Sequence, residues 1–380
     1  MKILLVSEFF PTGKDLRFSG GVEARTFFLA KHLAKRHKIT IICTKLKGSK
    51  VKETMFGFTV CRIGPERRYE ATVSDIINRL RFIKEAVKFG QTLDIDIVDG
   101  GNFIAHFIAK SIAQGKKVSC VGWYPDVWIG SWIKNTGVWG IFGEILERIN
   151  LFRGFDFYIP ISKVVAKKLK KRVAAKLKVI PCGIDWQEFK SSEKKFKEPT
   201  IVCISRLAKY KNLRTLIFAF AHLSVKINNA RLIIIGVGPE LHNLKSLAKA
   251  LKISPKVKFL SNLPRKQLIS LIKSSHIFTS PSLVEGFGIA TIESAACGLP
   301  YVISDIAVHR EITGGGQGGF LLDPYDALSF SDRLFNLLKN ETLYKEKSRQ
   351  AQALTKNYNW EQISTETESI YFKCISDTLI

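Results

Sequence analysis

No two of the seven cysteines, at positions 43, 61, 120, 182, 203, 297 and 374, stand in CxxC spacing. Their scatter through apolar runs such as ITIIC and TIVCIS argues against a zinc site or a disulfide framework. It reads instead as small core side chains in a reducing cytosol. No apolar run reaches the length of a membrane-spanning helix. The opening MKILLVSEFF is not expected to be a signal peptide, because its short apolar run breaks at Ser7-Glu8 without a small-residue cleavage site. There is no repeat of solenoid period and no low-complexity tract. No metal-ligand cluster is visible, so no metal and no cofactor are expected. The absence of RRM, zinc-finger and KH signatures argues against a nucleic-acid partner. The expected location is cytoplasmic, either soluble or peripheral on the inner face of the cell membrane.

Acidic residues are scarce as well. Fifty-nine Lys and Arg stand against 33 Asp and Glu, a net charge of +26. Such a surplus suits an anionic partner: nucleic acid, a phosphorylated small molecule or an anionic membrane. It is equally compatible with a solvated lysine-rich surface. At 380 residues and 46% hydrophobic composition, the chain has material for two packed cores.

Short β-rich runs alternate with longer segments of helical period, the pattern of parallel sheets flanked by helices. Strands are predicted at Ile3–Ser7, Ile39–Cys43, Ile95–Val98, Lys117–Val121 and Phe157–Ile161. A second set is predicted at Thr200–Ser205, Arg231–Gly236, Val257–Leu260, Ile277–Ser280 and Tyr301–Ile303. The division expected is a Rossmann-like domain over 1–183, a linker over 184–199, a second Rossmann-like domain over 200–359, and a terminal helix over 360–380 that packs back on the first domain. Ligands of such sheets bind beyond the carboxyl ends of the strands.

Two loops carry the chemistry. After Thr200–Ser205 comes SRLAKYKN, in which Arg206 offers forked planar donors and Lys211 a point charge, a pair suited to a pyrophosphate. After Ile277–Ser280 comes PSLVEGFGIATIESAACGLP. A helix is predicted from about Gly288 to Cys297, stopped by Gly298 and Pro300. Gly286 and Gly288 permit close backbone approach, and the helix start offers free N–H groups to a phosphate. Glu285 and Glu293 suit hydroxyl groups. An ordinary helix N-terminus with nearby acids is the plain alternative for this segment.

EGFGIATIE is an E-x7-E motif. Together with the upstream Arg-x4-Lys it resembles the retaining glycosyltransferases of GT-B fold, family four. SGGVEART looks like that family's glycine loop, IPISKVVAKKL and LKVIPCGIDWQEF like the end of its first domain, and IIIGVGPE and GGFLLDPYD like its later turns. The likeness spans essentially all 380 residues. It implies a GT-B fold, with two Rossmann-like doubly wound domains facing across a cleft. It also implies a nucleotide-sugar co-substrate and no protein nucleophile. By the same likeness, Arg206 and Lys211 hold the donor phosphates, while Glu285 with the amides of Gly286, Phe287 and Gly288 holds the transferred sugar. Glu293 binds the ribose, Gly236 lies in the donor-side turn, and Gly20 and Gly21 close over the phosphates or admit the acceptor. A UDP-sugar is the first expectation for the donor and GDP-mannose the second. The family often carries a His in a segment resembling WYPDVW, and here Pro125 stands in its place. Asp126 then either contacts the acceptor or caps a turn.

The acceptor expectation is a sugar or lipid-linked glycan at a membrane face. Trp123, Trp128, Trp132 and Trp139 crowd one short segment, and tryptophan favours membrane interfaces. Residues 157–184 hold eight basic and no acidic side chains. Asp126, Trp128 and Trp132 are the acceptor or membrane candidates. Ile76, Ile77, Leu80, Ile83 and Val87 form an apolar helical face that suits either lipid or an ordinary core. A GT-B sugar-nucleotide epimerase and a basic nucleic-acid- or lipid-binding protein are the alternative functions.

Overall fold

A computed structural model describes residues 1–13, 16–18, 20–67 and 75–378. Two compact units divide the chain, Met1–Gly183 with Trp360–Ile380, and Ile184–Asn359. Ser19 of the glycine loop and the last two residues of the terminal segment lie outside the described residues.

The first unit is built on seven strands: β1 (Lys2–Val6), β2 (Lys38–Leu46), β3 (Lys52–Met55), β4 (Phe58–Arg67), β5 (Ile97–Gly100), β6 (Ser119–Tyr124) and β7 (Phe157–Pro160), in spatial order β3-β4-β2-β1-β5-β6-β7. All pairs are parallel except β3 with β4. The β3–β4 hairpin falls where no strand is predicted. It is polar for a strand because Arg62 is buried within it, donating to Pro11 O (2.8 Å) and paired with Glu53. The central strands show the continuous apolar character of a sheet covered on both faces.

The helix Trp360–Thr378 belongs to this unit. Trp360 stacks on Phe28 at 5.6 Å and 19°. Tyr371 donates to Asp99, whose carboxylate also takes a bidentate pair of 2.8 Å bonds from Arg25. Three distant segments therefore meet on one buried carboxylate, and with two partners its charge is compensated.

The helix Asp75–Gln91 buries Phe82, Ala86 and Gly90. The expected apolar face turns out to lie elsewhere on it, since Ile77 and Leu80 are exposed. Small and aromatic residues sit against the sheet, and the aliphatic run falls at its margin.

The second unit has six parallel strands: β8 (Thr200–Ile204), β9 (Arg231–Ile235), β10 (Val257–Leu260), β11 (Ile277–Ser280), β12 (Tyr301–Ser304) and β13 (Gly319–Leu322), ordered β10-β9-β8-β11-β12-β13. Alternate side chains fill two cores. Ile201, Cys203, Leu232 and Ile234 pack with Phe220 on one face, and Val202, Ile233 and Phe278 on the other. Residues 184–199 are part of this unit, tied down by Arg265 to Glu188 (3.0 Å) and by Phe196 N to Ser274 O (2.8 Å). Six cysteines are buried and Cys297 partly so. Burial pushes thiols such as Cys203 up to about 12, so they act as apolar core groups. Among the described residues no helix is long and apolar enough to cross a membrane.

Candidate functional site

In the second sheet the strand order reverses between β8 and β11, and such a switch point opens a crevice at the strands' carboxyl ends. The two motif loops follow these two strands. After β8 the chain makes a 3-10 turn, Lys209–Lys211, and passes through Asn212 at φ 51° into the helix Leu213–Lys226. Leu283 N donates to Tyr210 O (2.9 Å), stitching this turn to the loop after β11. The stitch places Lys211 Nζ 2.6 Å from Glu285 Oε1, although the two are 74 residues apart. Burial alone would raise the Glu285 carboxyl, but the Lys211 charge and its hydrogen bond, with that of the Ser282 hydroxyl, hold it below its ordinary value. Arg206 stands exposed at the β8 end.

The helix Ile289–Ala296 starts after Gly288, whose φ of 88° a residue with a side chain rarely adopts. No side chain caps it. Its first N–H groups are therefore open to a ligand, with the positive end of the helix dipole behind them. Phe287 is buried edge-on against Tyr358, so only its backbone is offered to this loop. His309 lies behind the loop. Its Nδ1 is 2.7 Å from Ser304 O, a group that only accepts, so the proton sits on Nδ1. Burial holds the ring neutral, and Nε2 has no hydrogen-bond partner.

Glu293 is buried and bonded through Oε1 to Arg265 Nη2 (2.7 Å). Arg265 also donates to Glu188 (3.0 and 3.1 Å). Sequence reasoning missed Arg265, Glu188 and His309. Gly236 has a local role: a Cβ there would stand 1.9 Å from Ser205 O. The GVGP turn lies flat on the Arg206 loop, and Leu207 N bonds Val237 O (2.9 Å). Gly236 thus shapes the loop that presents Arg206. Gly20 and Gly21 are at the start of the helix Gly21–Leu33 in the first unit, where Gly20 is an extended N-cap with no side-chain cap.

Trp128 and Trp132 are half-buried, and their indole N–H groups donate to Asp126 (2.9 Å) and Glu147 (2.6 Å). Asp126 also accepts from Val127 N (2.8 Å) and pairs with Lys168 (2.6 Å). A carboxylate so occupied serves the turn. Glu147, fully buried, is pushed up to about 7 by burial, against the hydrogen bonds of Trp132 and Trp128, while the charges of Asp126 and Glu144 raise it further. Its unfolded form titrates near 4.5. The folded state binds the extra proton between those values, so this group costs stability as pH rises through about 4.5 to 7, up to about 3 kcal/mol. Denaturant unfolding across that range is expected to show wild type losing stability relative to Glu147→Gln. Parallel curves would refute this.

Two Rossmann-like units, each with its switch point between central parallel strands, define a GT-B architecture. Sequence families match the chain side by side: Glycosyltransferase Family 4 over residues 19–188 and Glycosyl transferases group 1 over 184–356. The chain belongs to the group 1 glycosyltransferases of GT-B fold. It is 28% identical over 181 residues to N-acetyl-alpha-D-glucosaminyl L-malate synthase of Bacillus anthracis, covering 47% of each chain. It is 24% identical over 361 residues to the GDP-mannose-dependent alpha-(1-6)-phosphatidylinositol monomannoside mannosyltransferase of Mycolicibacterium smegmatis, covering 88% of this chain and 89% of that one. The matches span about half the length of the first curated relatives. In fold it resembles sucrose-phosphate synthase of Thermosynechococcus elongatus, with TM-score 0.84 and 16% identity over 99% of this chain and 100% of that one. It also resembles Anabaena HepE, solved with UDP-glucose, with TM-score 0.74 and 17% identity over 100% and 99%.

Proposed function

We propose that this chain transfers a hexose or N-acetylhexosamine, with anomeric retention, from a nucleotide-diphosphate sugar to an acceptor hydroxyl. A UDP-sugar is the first choice of donor and GDP-mannose the second. The observation that carries this reading is the Lys211–Glu285 pair beside an uncapped helix start, with Arg206 exposed on the neighbouring strand end.

Breaking the glycosidic bond leaves negative charge on the phosphate and positive charge on the ring. Arg206 and Lys211 stabilise the leaving phosphate from fixed positions, and the amides of Gly286, Phe287 and Gly288 help to hold the transferred sugar. Glu285, kept ionised, accepts hydrogen bonds from the sugar hydroxyls, and Glu293 accepts from the ribose. The UDP-glucose held by the Anabaena protein and the GDP-mannose dependence of the mycobacterial relative support a nucleotide-sugar donor. The phosphatidylinositol monomannoside in that relative's name supports a lipid-linked glycan as acceptor.

The test is thermal unfolding with millimolar UDP, GDP, ADP and CMP. A ligand at a hundredfold excess over Kd adds roughly 2.7 kcal/mol. One diphosphate is expected to stand out and to identify the base. If no diphosphate stabilises the protein, the transferase reading fails.

A further inference from the structure

The helix Gly140–Arg153 is turned inside out. Its buried residues are Gly140, Glu147 and Asn150. Asn150 donates to Phe103 O (2.8 Å), and the Trp132 ring fills the space a side chain at Gly143 would need. The apolar residues point the other way: Ile141, Phe142, Ile145, Ile149 and Phe152 are all exposed, Phe152 to 93%. Val138, 79% exposed, continues the row before the helix begins. Positions 138, 142, 145, 149 and 152 fall on one helical face over four turns. Single exposed apolar residues are ordinary, but a contiguous row marks an interaction surface. Trp139, half exposed, stacks on Phe142 at one end of it (6.1 Å, 11°).

The charge around this face selects its partner. On the helix itself Arg148 is exposed and pairs with Glu144 (2.6 Å), so the net positive charge comes from elsewhere. The neighbouring helix Lys163–Lys170 and the turn after it expose Lys163, Lys167, Lys170, Lys171 and Arg172. Lys168 bonds Asp126, and Arg172 reaches Ile129 O (3.5 Å), so this basic helix is fastened to the loop ahead of Trp132–Thr136, the short helix that precedes the apolar face. A second copy paired about a two-fold axis would set like against like, basic flank near basic flank. An anionic bilayer takes both features: apolar side chains at the acyl boundary, lysines at the phosphates, and tryptophan between them.

We infer that the outer face of Gly140–Arg153 docks this protein on an anionic phospholipid membrane. The inference stands on this face alone and is read without donor or acceptor. Its failure would leave the transferase reading untouched, and failed nucleotide binding would leave this one untouched. The experiment is flotation of the full chain with vesicles of phosphatidylcholine alone and of phosphatidylcholine mixed with phosphatidylglycerol. Wild type is expected on the mixed vesicles at low salt and off them at high salt. Ile145→Ser/Phe152→Ser is expected to weaken binding on the order of tenfold or more, with its melting temperature kept because both side chains already face water. Lys167→Glu/Lys171→Glu is expected to abolish the preference for anionic lipid. Wild type that ignores anionic vesicles, or a serine variant that binds as wild type does, overturns the inference. So does light scattering that shows a dimer which the serine variant dissolves, since the partner would then be a second copy.

Discussion

Replacing Lys211 by alanine is expected to lower kcat by roughly 10²–10³ and to move the acid limb of the pH–rate profile upward. The first effect is that of removing one fixed donor from a developing anion, about 3–4 kcal/mol in comparable sites. The second comes from the 2.6 Å contact with Glu285. Burial pushes that carboxyl up, and the lysine is the largest influence holding it down. A carboxyl held below its ordinary value is ionised, and its contribution complete, above the ordinary pKa, and that contribution fades as pH falls through the folded value. Without Lys211 the fading starts at higher pH. Arg206→Ala has no such coupling, because Arg206 is exposed at its strand end. It is expected to cost roughly 10²-fold in kcat with the profile unmoved. The double variant is expected to lose the nucleotide-dependent rise in melting temperature. Steady-state rates from pH 4 upward check these outcomes. Equal profiles for the two single variants would show that Lys211 does not control Glu285.

What could be read in advance follows from how local each signal is. β10 and β11 match prediction to the residue because apolar β-branched runs bounded by turns declare themselves within a few positions. β3 and β4 did not, because the stability of β4 rests on Arg62 meeting Glu53 and Pro11, partners outside its own window. β13 is a four-residue run, Gly319–Leu322, entered from a glycine-rich turn, and short runs of that kind are ambiguous. In the candidate site, Arg206, Lys211 and Glu285 could be named in advance because they stand in the loops after β8 and β11, at the strands' carboxyl ends, whereas Glu293 was named from the E-x7-E spacing and lies inside the helix Ile289–Ala296. Arg265 was not. It is one of two adjacent basic residues at a helix start, where exposure is the default, and its partners lie 77 and 28 positions away. The indole contacts of Trp128 and Trp132 were hidden for a related reason. The segment's composition suggests an interface, but each indole N–H is taken by a buried carboxylate, that of Trp128 by Asp126 in its own loop and that of Trp132 by Glu147 on the next helix. Glu147 also accounts for the inverted helix: with this residue committed to the inside, the aliphatic face is left outside.

Arg265→Met is expected to erase the preference for a ribonucleotide over its 2′,3′-dideoxy counterpart, which Glu293 should confer on the wild type. Arg265 acts here as a positioning residue. Its guanidinium takes Glu293 Oε1 at 2.7 Å and leaves the other oxygen for a vicinal hydroxyl pair. One hydrogen bond to a charged group contributes about 1.5–3 kcal/mol, so the gain or loss of one such bond should make the wild type prefer the ribonucleotide by roughly ten- to a hundredfold. In the variant Glu293 loses its anchor, and Glu188, already pushed up by burial against the pull of Arg265, loses its counter-ion. Breaking a buried pair from one side costs about 3–5 kcal/mol, so the melting temperature should fall as well. That loss alone would not distinguish a structural arginine from a positioning one. The ratio does. Calorimetric titration with the ribo- and dideoxynucleotide should give nearly equal affinities for Arg265→Met and for Glu293→Gln, with unequal affinities restored in part by Arg265→Lys. If Arg265→Met binds more weakly but keeps the wild-type ratio, Arg265 supports the fold and does not orient Glu293. If the wild type itself fails to distinguish the two nucleotides, Glu293 does not read the ribose.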